Sequence, residues 1–147
     1  MPQASVHVPV SRRCHARGVE HSHDLIDRLR AALGELGIDS SPDEDGDLAL
    51  EYDGTGLFIR VADDDAAFRV FGLWERTREA DEVTLLRLCN ELTLELLLVK
   101  VSLQDGDLVF SVDHAVDPDD PHVPLVGVLP VLLDHLLHAV EAFAAAE

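Results

Sequence analysis

Residues 81–116 read DEVTLLRLCNELTLELLLVKVSLQDGDLVFSVDHAV, and the hydrophobic period changes within them. From Asp81 to Thr93 the apolar residues Val83, Leu85, Leu86, Cys89 and Leu92 are expected on one side, with Glu82, Arg87 and Glu91 elsewhere, which predicts an amphipathic helix. Asn90 is expected near its end, where an asparagine readily bonds terminal backbone groups. After Thr93 the period falls to two. Leu97, Val99, Val101 and Leu103 define one face of a strand, and Leu96 and Leu98 lie on the other. Asp105-Gly106 supplies the residue types of a tight hairpin turn, and Leu108, Phe110 and Val112 continue as the returning strand. A helix leading into a hairpin speaks for an antiparallel sheet with helices packed on it, and against a doubly wound parallel sheet.

The segments upstream repeat this logic. Leu25, Ile26, Leu29, Ala32, Leu33 and Leu36 recur every three or four residues, with Ser22 available as N-cap and Gly37 as the residue just past the helix end. Residues 40–46 read as a polar, acidic loop. Leu48, Leu50 and Tyr52 then alternate as a strand, Asp53-Gly54-Thr55-Gly56 reverses the chain, and Leu57, Ile59 and Val61 return. Asp63, Asp64 and Asp65 make a second turn before a third strand. There Phe68, Val70 and Trp74 lie on one face, and Phe71 and Leu73 suggest that the other is covered too. Downstream, a polar stretch from Asp117 to Pro124 precedes a long apolar helix that tolerates Pro130 if it lies in the first turn. The expected fold is α+β: a five-stranded antiparallel sheet with three helices, in the order α-β-β-β-α-β-β-α. Residues 1–19 show no sustained period and are expected to be an irregular or disordered tail, leaving residues 20–147 as a single domain.

A formal net charge of -18, from 29 acidic and 11 basic residues among 147, repels phosphates and anionic lipid surfaces, so neither nucleic acid nor membrane is an expected partner. The local exception is Arg12, Arg13 and Arg17, which precede the first acidic residue, Glu20. The stretch from Val123 to Phe143 is interrupted by Pro130, Asp134, His135, His138 and Glu141, which reads as a buried helix and not as a membrane span. The N-terminus has no uninterrupted apolar run of the signal-peptide kind. Cys14 and Cys89 sit in unlike contexts, one polar and one apolar, so a structural disulfide is not expected and the cytoplasm is the expected compartment.

The residues that carry chemistry elsewhere do not assemble into a signature here. Cys14, His15, His21, His23 and Asp24 match no closed zinc spacing. Asp134, His135 and His138 share a helical face with suitable spacing, but a solvated stripe explains them as well. Asp43, Asp45 and Asp47 alternate as in a calcium loop, yet Leu48 stands where that loop needs glycine and Gly54 where it needs a bidentate glutamate. There is no nucleophile elbow, phosphate loop or dinucleotide fingerprint. No cofactor, metal or catalytic residue is expected.

Residues 81–116 resemble the YbjN family of bacterial proteins, whose fold is like that of class I type III secretion chaperones. The similarity lies in the helix with Asn90, the strand rich in Leu and Val, the Asp105-Gly106 turn and the strand that leads toward a terminal helix; the element order from Asp24 to Phe143 also looks like that family. The resemblance brings no catalytic residues. It implies a small acidic domain, often dimeric, associated with regulation or chaperone-like protein binding. The functional expectation is therefore a non-enzymatic interaction domain with a polypeptide partner. The alternative is a small-ligand or metal-binding domain built from His and Asp side chains. Self-association as a homodimer is also expected from the residues themselves, because the last helix carries more apolar residues than one sheet face readily covers. The candidate contact residues are Leu96 and Leu98 on the strand and Leu129, Leu133, Leu136 and Leu137 on that helix.

Overall fold

The computed structural model describes residues 24–75, 80–117, 119 and 124–146. In chain order they form helix α1 (Asp24–Glu35), strands β1 (Ser40–Pro42), β2 (Leu48–Tyr52), β3 (Thr55–Val61) and β4 (Ala67–Trp74), helix α2 (Glu82–Glu95), strands β5 (Lys100–Gln104) and β6 (Asp107–Ala115), and helix α3 (Leu125–Ala146). The expected N-terminal tail, with Cys14, His15, His21, Ser22 and His23, lies outside the described residues.

Turn chemistry sets the local geometry. Gly37 adopts φ 75°, its N–H donating to Gly34 O at 3.0 Å and that of Ile38 to Leu33 O at 2.9 Å; this pair of bonds is the Schellman end that only a residue free of a Cβ penalty accepts cheaply. Asp53 (φ 49°) and Gly54 (φ 78°) join β2 to β3, and Asp105 (φ 51°) and Gly106 (φ 88°) join β5 to β6. Two successive positive φ values give the type I′ turn whose twist matches the flanking strands. Helix α2 is capped by Asp81, whose carboxylate accepts from Thr84 N–H at 2.7 Å; that bond lowers the Asp81 pKa, because it favours the charged form.

The sheet has six strands, not five, in the order β1-β2-β3-β4-β6-β5, with every neighbouring pair antiparallel. The additional strand is β1, from the segment expected to be loop. It is short and polar, lies at an edge and ends in Pro42, so it carries no alternating apolar signal, and proline is tolerated there. The turn after it is held by Asp43, whose Oδ1 accepts from the N–H groups of Asp45 and Asp47, both at 2.9 Å. Asp43 thus bonds turn backbone, and Asp47 bonds the Arg60 side chain of β3.

Register fixes which side of the sheet is core. Leu48 faces Ile59, Leu50 faces Leu57, Ile59 faces Val70 and Val70 faces Val112, and all six are buried. Helices α1 and α3 pack together over this face, α3 crossing β4 and β6, while α2 lies against β5. Phe143 meets Phe110 and Trp74 with ring centroids 5.7 and 6.4 Å apart. Residues Leu125–Ala145 have the length and apolar composition of a membrane span, but Leu129, Leu132, Leu133, Leu136, Ala139, Val140 and Phe143 are core, and this accounts for their character. Pro130 lies one turn deeper than the first. The opposite face of β4 is not covered by a helix: Leu73 is exposed and Phe71 half-buried.

Candidate functional site

Three of the six candidate contact leucines prove to be interior. Leu129, Leu133 and Leu136 are each 0% exposed, so an intact chain cannot offer them to a partner. The sheet and α1 bury the core side of α3 completely, and the opposite side, with Val131 at 50%, is exposed. Leu137 and Leu96 are half-buried, and only Leu98, at 62%, is exposed.

Most of the surface apolarity lies on α2 and the bend after it, with Leu73 on β4 and Val131 on α3 as isolated exposed apolar residues. One side of α2 is core, through Leu85, Cys89 and Leu92. The other carries Val83 and Leu86, which were expected on the core side, together with Leu94; all three are exposed, and their intervals of three and eight residues place them on a common face opposite Leu85 and Leu92. Asn90 belongs to this second stripe: it is exposed and inside the helix, not at its end. The expected strand at Leu97 begins only at Lys100. Residues 96–98 form a bend in which Leu97 is 83% exposed and Leu98 adopts φ 72°. Thr93 lies in the last turn of α2. Its Oγ1 accepts from Val101 N–H at 3.0 Å and donates to Val101 O at 3.2 Å, which ties the end of α2 to β5 and forces the intervening leucines outward.

A second surface is the uncovered face of the sheet. Phe58 and Phe71 stack with centroids 5.4 Å apart, and the Arg60 guanidinium lies 5.1 Å from the Phe71 centroid. Arg60 and Arg69 are direct cross-strand neighbours, a repulsive arrangement that is relieved sideways. Arg60 forks onto Asp47, at 3.0 and 2.7 Å, and Arg69 onto Asp113, at 2.6 and 2.9 Å, with Lys100 also 2.8 Å from that carboxylate. The hydrogen bonds from Arg69 and Lys100 hold the Asp113 carboxyl well below the usual carboxylate range, outweighing its partial burial. Diagonally across this face runs an open cleft of about 310 Å³, lined by Phe58, Phe71, Leu73 and Val109 and flanked by aspartates.

The titratable groups outside these surfaces do not converge. Among the described residues no three His, Cys, Asp or Glu side chains gather as a metal site would. His135 turns its Nδ1 to Val131 O at 2.7 Å, and Asp134 accepts from the Tyr52 hydroxyl at 2.5 Å, a bond that raises the tyrosine pKa. Both neighbours of His138 in the proposed histidine face are thus engaged separately. Cys89 is a buried free thiol whose pKa burial pushes up, as expected of a core cysteine and not of a nucleophile.

An antiparallel sheet with helices packed on one face defines a class by its fold: small α+β domains with a type III secretion chaperone-like fold. Within it, this chain belongs to the YbjN family, described as "Putative bacterial sensory transduction regulator", which its residues 25–145 match. It is similar in structure to YbjN from E. coli, a "putative transcription regulator", with TM-score 0.62 and 20% identity over 82% of this chain and 93% of that one. It is also similar to the Yersinia pestis type III secretion chaperone SycH, solved in complex with a stable fragment of YscM2, with TM-score 0.51 and 14% identity over 78% of this chain and 98% of that one. No curated protein matches the sequence.

Proposed function

We propose that this chain is a non-enzymatic, cytoplasmic protein-interaction domain of a regulatory or chaperone-like kind, which works as a homodimer and binds a polypeptide partner. The observation that carries this reading is the second apolar stripe of α2, with Val83, Leu86 and Leu94 in water on a chain of net charge -18. Burying a large aliphatic side chain contributes about 1.5–3 kcal/mol, so such a stripe drives association. Pairing the same stripe about a two-fold axis is the simplest closed solution. Asn90 near its middle suits that role, since a lone asparagine in an apolar helical seam fixes register at some cost in stability.

Polypeptide binding is supported by the fold shared with SycH, which was solved with a fragment of YscM2. The metal or small-ligand alternative has less behind it, because Asp134 and His135 are engaged within the chain. An Asn90→Cys, Cys14→Ser protein tests the dimer geometry. Under mild oxidation the reading expects a covalent dimer, since residues near a two-fold axis meet their own copies. Only monomer on a non-reducing gel contradicts it. For the partner, crosslinking capture with the wild-type chain is expected to retain a polypeptide bound outside the stripe, which the second copy occupies. Repeated recovery of none would remove that half of the proposal.

A further inference from the structure

The cleft across the uncovered sheet face has a charge pattern that specifies its occupant. Its floor is apolar, made by Phe58, Phe71, Leu73 and Val109. Its two ends are the β1–β2 turn, with Asp43 and Asp45, and the β5–β6 turn, with Asp105 and Asp107. The lining arginines are already spent, Arg60 on Asp47 and Arg69 on Asp113. The four remaining carboxylates form no ion pair among the described residues, although Asp45 lies close enough to feel the Arg60 charge. An apolar floor with acidic ends rejects anionic ligands and fits an extended segment that combines apolar and cationic side chains.

The chain contains such a segment. Val6, Val8 and Val10 alternate, so that in extended form they share one side, and Arg12, Arg13 and Arg17 follow. Every one of the 29 acidic residues comes later, from Glu20 onward, so this is the one part of the sequence with a net positive charge. We propose that residues 5–17 of this chain dock in the cleft of their own sheet face, the valines on the Phe58–Phe71 floor and the arginines at an acidic end.

The dimensions agree. From β2 to β5 the cleft crosses four inter-strand spacings and about four residues of strand, roughly 23 Å on the diagonal, which about seven extended residues span. The six residues between Arg17 and Asp24 reach roughly 20 Å, against a radius of gyration of roughly 15 Å for a domain of this length. Helix α1 packs beside β1, at the same sheet edge as the Asp43–Asp47 turn. The inference does not depend on the dimer proposed above, since the cleft and the α2 stripe are separate surfaces.

The native cysteines allow a test on the full chain. Cys89 is buried, so a nitroxide reagent labels Cys14 selectively. In the ¹⁵N-labelled protein the amides of Phe58, Phe71, Leu73 and Val109 are expected to lose most of their intensity, while those of Leu29 and Ala139 in the helix layer keep theirs. The pattern should survive dilution and disappear in an Arg12→Ser, Arg13→Ser, Arg17→Ser protein, because high salt and charge removal weaken the same contacts. Broadening that is absent, or spread evenly over both faces, overturns the proposal. A mixed sample identifies the source: ¹⁵N-labelled Cys14→Ser chain with unlabelled spin-labelled chain is expected to show no broadening. Broadening at the cleft only in that mixture assigns the occupant to a second copy and overturns docking within one chain.

Discussion

Helices α2 and α3 are both rich in leucine, yet they use it in opposite ways. On α3, Leu129, Leu133 and Leu136 point into a sheet face and carry no exposure. On α2, Leu85 and Leu92 are core while Leu86 and Leu94 on the other side face water, Leu94 at 78%. The difference is coverage and not composition. An apolar helix that crosses the middle of a sheet beside another helix spends its side chains on its own fold. A helix at the flank, packed on the edge strand β5, can spend only one side, and what remains on the other is available for association.

Substitutions at matched leucines sharpen this contrast. Leu133→Ala opens a cavity in the core and should lower unfolding free energy by about 2–5 kcal/mol in urea titration. Leu94→Ala should change monomer stability by no more than about 0.5 kcal/mol, as at other surface positions. Comparable losses at both sites would break the comparison. Next in size is the latch that sets the bend after α2. Thr93→Val removes both side-chain bonds to Val101 and leaves a part-buried N–H unpaired, at a cost of about 1–3 kcal/mol. A midpoint unchanged from wild type would detach the exposed leucines from that cause.

The smallest effect belongs to the uncovered sheet face. Asp113 has a folded pKa held below its unfolded value by Arg69 and Lys100. Its stabilisation is therefore present above the ordinary carboxylate range and is lost as pH falls through that range toward the lower folded value. These groups are partly exposed, so the pair contributes about 1 kcal/mol or less. Asp113→Asn should flatten the acid limb of a stability profile below about pH 4 by that amount and leave the neutral limb parallel. A steeper acid limb in the variant would contradict the assignment.

The readability of each feature follows from the range of its cause. Gly37, Asp53-Gly54 and Asp105-Gly106 act within a few residues, so the helix end and both hairpins were legible, although the first turn is Asp53-Gly54 alone, with Thr55 and Gly56 already in β3. Strand β1 was not, because three polar residues become a strand only when the edge of β2 is present to pair with them. The family was legible in residues 81–116, whose order of period and turn is local. The exposure of the candidate contact leucines was misread for two physical reasons. Most of the apolar surplus of α3, Val131 excepted, is consumed by tertiary coverage, which no periodicity reports. Leu96 to Leu98 continue the apolar alternation of β5, yet the Thr93 latch and the positive φ of Leu98 place them in a bend. The signal that was available is the spacing of Val83, Leu86, Asn90 and Leu94, a second stripe opposite the first.

Sedimentation equilibrium of the wild-type chain beside Leu94→Glu tests most directly whether that stripe is the contact surface. The account predicts a wild-type mass approaching twice the 16.1 kDa of one chain with rising micromolar concentration, and a Leu94→Glu protein with native circular dichroism that stays monomeric. A wild-type mass that remains at 16.1 kDa, or a Leu94→Glu dimer as tight as wild type, would contradict it.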